Sequence, residues 1–175
     1  MTNFLKRLIV RIRRIGKSAG FGIQSPTDFW FVNNIINESL PYYAYAELDK
    51  TAQDWQTRKL GRLFLRMANW RQPLTMPDSK YNEWCKAGCR KTTFCNMPES
   101  IDMAVVDIED RERTEQIVAR CNDNSVVAVE NICKNKTLWK DLCNSKEATI
   151  TFDLYYCGIL MFDKKRYKHN YTVNF

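Results

Sequence analysis

The stretch of residues 101–131 limits most strongly what this chain can fold into. It holds two short apolar runs, residues 103–106 and 126–129, separated by a charged stretch with apolar residues at helical spacing. Continuous apolar runs are typical of parallel strands that are buried on both faces, because such strands have no solvent side. The stretch therefore predicts a strand–helix–strand unit with a right-handed crossover.

Three polar residues follow these predicted strands. Asp107 ends the first, and Glu130 and Asn131 end the second. A parallel unit places both ends at one edge of the sheet, where open α/β sheets bind ligands. The competing interpretation is structural, because acidic and amide side chains also end strands and cap helices.

The chain begins with a basic amphipathic segment. The chain has 27 basic and 20 acidic residues, which give a net charge of +7. Six of the basic residues lie in the first seventeen positions, and the rest of the chain carries +1. Residues 3–17 predict a helix with one apolar face, formed mainly by Phe4, Leu8, Ile12 and Ile15. Its arginines interrupt the apolar run too often for a signal peptide or a membrane span. Three uses remain open: docking on the protein's own body or a partner, contact with an anionic membrane surface, or contact with nucleic-acid phosphates.

The cysteine content favours a reducing compartment. The seven cysteines are an odd number, several stand in apolar contexts, and no secretory signal precedes them. We therefore expect free thiols in a cytoplasmic protein, at most peripheral to a membrane. Cys85 and Cys89 form an isolated pair without the second pair that a structural zinc site requires, and His169 is the single histidine.

At 175 residues, the chain is expected to form one domain, with a helical region at residues 1–70 and an α/β core at residues 71–175. Helices are predicted at residues 27–39, in a long segment ending at Trp70, and at residues 81–89 and 137–144. Strands are predicted at residues 74–76, 92–95, 148–153, 157–162 and 171–175. The last three are close together, which predicts antiparallel pairing.

An aromatic cluster, Tyr42, Tyr43 and Tyr45, lies between the predicted helices of the N-terminal region. Such side chains line substrate pockets and stack on bases. They also fill ordinary cores, which is the structural alternative.

Four segments resemble a group of bacterial class I S-adenosylmethionine-dependent methyltransferase-like proteins. They are GFGIQSP at residues 20–26, YYAY at 42–45, LGRLFLR at 60–66 and TFDLYYCGILMF at 151–162. The resemblance implies a Rossmann-like sheet, N-terminal helices that cap it and an antiparallel strand pair at one edge.

The chain departs from that family where the cofactor would bind. The family has a glycine-rich, acidic strand-to-helix loop after the helix that ends here near Trp70. This chain instead reads PLTMPD at residues 73–78 and has no glycine between Pro73 and Gly88. Gln24 also replaces a histidine of the family's opening segment. Because a strand–helix unit needs some thirty residues, we expect the first units of the cofactor half to be deleted.

The resemblance also implies a metal site. In catechol-type O-methyltransferases, a carboxylate after the fourth strand and an Asp-Asn pair after the fifth hold Mg²⁺, which activates a substrate hydroxyl. Asp107 matches the first position, and Glu130 with Asn131 resembles the pair. Oxygen ligands of this kind suit Mg²⁺.

These features lead to a degenerate methyltransferase-like protein, truncated in its cofactor half, without methyl transfer and acting in binding or as a scaffold. The cofactor is expected to be absent, and no catalytic residue can be assigned. One alternative is an active methyltransferase with an unusual or intersubunit cofactor site. The other is an adaptor that binds nucleic acid or an anionic membrane through the basic N-terminal helix. Apolar surface left by missing sheet elements also predicts a homodimer.

Overall fold

A computed structural model of the chain describes residues 3–175, without the side chains of residues 3, 4, 6, 18 and 19. The helices are α1 (Asn3–Arg13), α2 (Pro26–Phe31), α3 (Tyr45–Thr51), α4 (Trp55–Arg71), α5 (Asn82–Gly88), α6 (Arg111–Val118) and α7 (Lys136–Asn144). The strands are β1 (Thr75–Pro77), β2 (Thr93–Cys95), β3 (Ile101–Asp107), β4 (Cys121–Glu130), β5 (Ile150–Asp153), β6 (Cys157–Met161) and β7 (His169–Thr172). No helix within the described range is long and apolar enough to cross a membrane.

The strands form a mixed sheet of five, in the order β3-β4-β6-β5-β7, and a parallel pair, β1-β2. The predicted strand–helix–strand unit is confirmed, because β3 and β4 are parallel neighbours joined through α6. Strand β6 runs antiparallel to both of its neighbours, β4 and β5. The small pair adjoins the large sheet at β3, where the amide of Leu74 donates to the Asp102 carboxylate at 3.3 Å. The protein is thus a mixed α/β protein.

The prediction for the last strand was wrong in its pairing. Strand β7 is parallel to β5, with His169 opposite Ile150 and Thr172 opposite Asp153. Strand β6 already has β4 and β5 as neighbours, so the free edge of the sheet belongs to β5. A strand that reverses direction after β6 must run parallel to β5.

The expected deletion before β3 was also wrong in part. A complete β1–α5–β2 unit occupies Thr75 to Cys95, and its elements follow the local predictions closely. Two strands of three residues and a helix of seven are enough for a parallel crossover. The unit is therefore compressed, and it fits in fewer residues than the usual thirty or so.

Both faces of the large sheet are covered, as the apolar runs require. Along β3, Met103 and Val105 face a core shared with α2, α4 and α5. Ala104 and Val106 face a second core shared with α6 and α7. Strand β3 is therefore buried from both sides and fixed in position, which also fixes the residues at its end.

Helix α4 is the central helix of the first core. The side chain of Asp54 accepts a hydrogen bond from the Thr57 amide at 2.8 Å and begins the helix. Its last residue is Arg71, and the cap residue Gln72 has a φ of 52°, in the left-handed region. A Cβ at Gly61 would lie 2.4 Å from the Trp84 ring, so only glycine allows α5 to pack this closely.

Helix α2 begins at Pro26, one residue before the predicted start, because the Ser25 side chain accepts a hydrogen bond from the Asp28 amide and proline suits the first turn. The helix expected at residues 27–39 continues from α2 into a π-helical segment, Val32–Ile36, which Asn37 caps.

Candidate functional site

The polar residues predicted to converge at one edge of the sheet do so. Asp107 at the end of β3 is opposite Glu130 at the end of β4. The next residue, Asn131, has a φ of 58° and turns its side chain back, so that Nδ2 donates to Asp107 Oδ2 at 2.6 Å. The parallel register of two buried strands is sufficient to bring these groups together.

Glu130 is buried, and both of its carboxylate oxygens are engaged. The Tyr81 hydroxyl donates to Oε1 at 2.6 Å, and the Lys80 ammonium lies 3.1 Å from Oε2. Burial raises the pKa of the Glu130 carboxyl, while Tyr81 and Lys80 act against that shift. Burial and the adjacent carboxylate raise the pKa of Tyr81. Sequence reasoning missed both partners, although their position between β1 and α5, in a strand-to-helix loop, is one from which side chains reach this edge.

The three polar residues do not fit a magnesium site in this arrangement. The Glu130 oxygens are used by Tyr81 and Lys80, and the Asn131 oxygen accepts from Gln56 Nε2 at 3.2 Å. The amide nitrogen of Asn131, and not its oxygen, is directed at Asp107. Magnesium demands several free oxygen ligands in octahedral geometry. No group of three or more His, Cys, Asp and Glu side chains within the described residues could hold a metal ion.

A cleft of about 870 Å³ opens beside this edge, between α1 and the body of the protein. Its inner wall includes Trp55 at the start of α4, Tyr156 between β5 and β6, and Phe175. The hydrogen bonds around Asn131 lie directly behind this cleft. The Asn131 backbone amide donates to the Tyr156 carbonyl at 2.7 Å, and Gln56, which donates to the Asn131 side chain, is the neighbour of Trp55. The cleft is therefore at the carboxyl ends of the strands, covered on one side by α1.

Three cations lie in the cleft without an ion-pair partner among the residues that the structure describes. The Arg7 guanidinium stacks over the Trp55 ring at 3.6 Å, and the Lys59 ammonium is 4.0 Å from the centre of the Phe175 ring. Burial, together with the charges of Arg11 and Arg7, lowers the pKa of Lys59 to about 8. Within the described part of the chain, Arg7, Arg11 and Lys59 belong to none of the ion pairs.

Two further arginines in the cleft are satisfied by the protein itself. Arg62 is ion-paired with Asp49. Arg66 is buried and donates to the last two backbone carbonyls of the π-helical segment at 2.7 and 2.9 Å, and to the Tyr45 hydroxyl at 3.1 Å. These contacts tie the cleft floor to the first core and give both arginines a structural role.

The predicted tyrosine cluster is only partly at this site. Tyr45 is buried and lines the cleft, and burial raises its pKa. Tyr42 packs on Tyr45 with ring centres 5.3 Å apart, outside the cleft lining. Tyr43 is 72% exposed, and its hydroxyl accepts from Arg90 at 3.3 Å. As a group, the tyrosines therefore do not form one pocket.

Helix α1 docks on the protein's own body. Just after it, Arg14 donates to the carbonyl of Asp153 at 2.9 Å and to its carboxylate at 2.8 Å. Leu8 and Ile12 line the cleft and remain 43% and 59% exposed. The side chain of Phe4, predicted on the same face, lies outside the described residues. The amphipathic helix is confirmed, although it ends at Arg13 and a 3₁₀ helix follows it.

All seven cysteines are free thiols. Burial raises the pKa of Cys85 to about 12, which makes this thiol a poor nucleophile at neutral pH. His169 is exposed and stacks on Tyr171 with ring centres 5.7 Å apart. Neither residue offers a catalytic pair near the cleft.

Comparison of the chain with protein-family models, with curated proteins and with solved structures finds no match. Its function must therefore be argued from the geometry of the sheet edge and of the cleft.

Proposed function

We propose that the chain is a degenerate, Rossmann-like methyltransferase-type protein that transfers no methyl group and acts by binding a ligand. The resemblance in four segments supports the ancestry. So do the N-terminal helices packed on the sheet and the antiparallel β5–β6 pair, both of which the resemblance implies, although β7 and not this pair forms the edge of the sheet.

The contacts of Lys80 and Tyr81, which follow β1, with Glu130 at the end of β4 carry this proposal. The resemblance places a glycine-rich cofactor loop after β1, where glycines let the backbone approach the ligand. Here Lys80 and Tyr81 occupy that loop and donate to the buried Glu130. These side chains fill the loop and hold Glu130, so the backbone there cannot approach a cofactor as a glycine-rich loop would.

The charge of the cleft supports the same conclusion. S-adenosylmethionine carries a sulfonium and an ammonium against one carboxylate, so it is a net cation. The side chains of Arg7, Arg11 and Lys59, which have no ion-pair partner within the described range, would repel it, because like charges in a partly desolvated site are costly.

Calorimetric titration with S-adenosylmethionine and S-adenosylhomocysteine, each with and without Mg²⁺, tests the proposal. We expect no heat and no thermal stabilisation at millimolar ligand. Micromolar binding would overturn the proposal and favour an active methyltransferase with an unusual or intersubunit cofactor site. In that case, loss of the Mg²⁺ dependence in Asp107→Ala and Asn131→Ala would place the metal at the sheet edge.

Helix α1 favours a second candidate, an adaptor for an anionic membrane or nucleic acid. Leu5, Leu8 and Ile12 of α1, with Ile15 just after it, stay between 43% and 73% exposed beside the arginines of this segment. Binding through this surface would fall steeply with salt. The same exposed residues support the proposed homodimer, which Ile12→Glu should dissociate in sedimentation measurements if α1 is the contact.

A further inference from the structure

We propose that the cleft between α1 and α4 binds a phosphate monoester whose alcohol part is apolar. The inference rests on the proposed binding function and names its ligand class. The same chemistry occurs in a soluble phosphate ester and in the headgroup of a phosphatidic-acid-type lipid.

The three cations of the cleft indicate an anionic group in the ligand. Arg7, Arg11 and Lys59 come from two helices and converge on one cleft, and among the described residues none of them has a carboxylate partner. Holding like charges together at a partly buried position costs folding free energy. By contrast, Arg62 and Arg66, in the same cleft, are satisfied by Asp49 and by backbone carbonyls. Glu38 also lines the cleft, but it accepts from the Leu40 amide and forms no ion pair with any of the three among the described residues. The three cations therefore suit an anion that comes from a ligand.

A phosphate suits these cations better than a carboxylate. Stacking on Trp55 occupies a face of the Arg7 guanidinium and leaves the N–H groups at its edge available for oxygen. A phosphate monoester carries nearly two negative charges and three acceptor oxygens, which matches three donors approaching from two helices.

The apolar residues that line the rest of the cleft indicate an apolar group in the ligand. Leu8, Ile12 and Ile36 line the cleft beside the rings of Trp55 and Phe175. The volume of about 870 Å³ falls within the usual range of small-molecule sites and exceeds what a bare phosphate needs. An anion with an apolar chain would fill both parts.

The test is calorimetric titration of the full chain with hexyl phosphate, inorganic phosphate and hexanol. We expect hexyl phosphate to bind at least about tenfold more tightly than inorganic phosphate, because its chain buries several methylene groups, and hexanol to give no heat. Arg11→Gln and Lys59→Gln should each weaken hexyl phosphate binding by about tenfold, the effect of one charge-assisted hydrogen bond. Lys91→Gln, an exposed lysine outside the cleft, is the matched control and should bind like the wild type.

Equal affinity for hexyl phosphate and inorganic phosphate, or equal binding by Arg11→Gln and the wild type, would overturn the inference. Arg11 is exposed, so its variant should fold, and a thermal melt checks this. Flotation with phosphatidylcholine vesicles, with and without phosphatidic acid, separates the two sources. Capture by phosphatidic acid that Arg11→Gln abolishes would assign the lipid headgroup, and hexyl phosphate binding without capture would assign a soluble ester. Binding of S-adenosylmethionine would overturn the proposed function and leave this result standing.

Discussion

Replacing Lys59 with methionine should stabilise the protein at neutral pH. Methionine keeps most of the side-chain length and its contacts with Trp55 and Phe175, and it removes a cation that has no counter-ion among the described residues. The structure predicts this gain because the charged form of Lys59 is penalised by burial and by two neighbouring arginines.

The magnitude follows from the pKa of Lys59. It is lowered from the ordinary 10.5 to about 8. Each pKa unit corresponds to about 1.4 kcal/mol, so protonated Lys59 costs the folded state roughly 3 kcal/mol below pH 8. For a chain of this size, that amount corresponds to an increase in Tm of roughly 6–12 °C. This is an upper bound, because solvent and the flexible arginines screen part of the repulsion.

The pKa of Lys59 also predicts how the effect of Lys59→Met on the free energy of unfolding changes with pH. Between pH 8 and 10.5, the unfolded chain holds a proton on Lys59 that the folded chain has released, so the free energy of unfolding rises with pH over this window. The advantage of Lys59→Met should therefore be full below pH 8 and vanish near pH 10.5. Other groups, such as the buried Cys85, also titrate in alkali, but they cancel when variant and wild type are compared at each pH.

Urea unfolding of the wild type, Lys59→Met and the exposed control Lys91→Met, at pH 7 and at pH 10, measures the effect. The control should match the wild type at both pH values. A variant less stable than the wild type at pH 7, or an equal difference at both pH values, would refute the reasoning. Either result would mean that a neighbouring group already compensates the Lys59 charge.

Two further substitutions test the sheet edge and the packing of the second core. Tyr81→Phe removes the hydroxyl that donates to buried Glu130 and should cost roughly 1.5–3 kcal/mol at pH 8 in urea unfolding. Because burial raises the pKa of Glu130, the loss should shrink at acid pH, where the carboxyl is protonated; the same loss at both pH values would contradict an ionised Glu130. Gly158→Ala would place a Cβ 2.2 Å from the Trp139 ring and should cost about 1–3 kcal/mol by overpacking. Gly16→Ala, whose Cβ would meet no atom within 4 Å, is the control, and an equal effect of both changes on Tm would contradict the clash.

Much of the sheet edge could be predicted from the sequence because the signals there are local. The apolar runs ending in Asp107 and Glu130 define two buried parallel strands, and their shared edge follows from the crossover rule. The sequence could not show that the Glu130 carboxylate already has a hydrogen-bond donor, since Tyr81 reaches it from 49 positions away. Whether a carboxylate is free or satisfied depends on such partners.

The sequence by itself determined the α/β class, the strand–helix–strand unit, the amphipathic α1 and the approach of Asp107, Glu130 and Asn131. These follow from apolar periodicity and capping, which act within one turn or one strand. Only the tertiary structure decided that β7 pairs with β5, and that α1 forms a basic cleft against Trp55 and Phe175. The physical reason is that periodicity specifies which face of an element is buried, whereas the surface that buries it depends on how distant segments pack together.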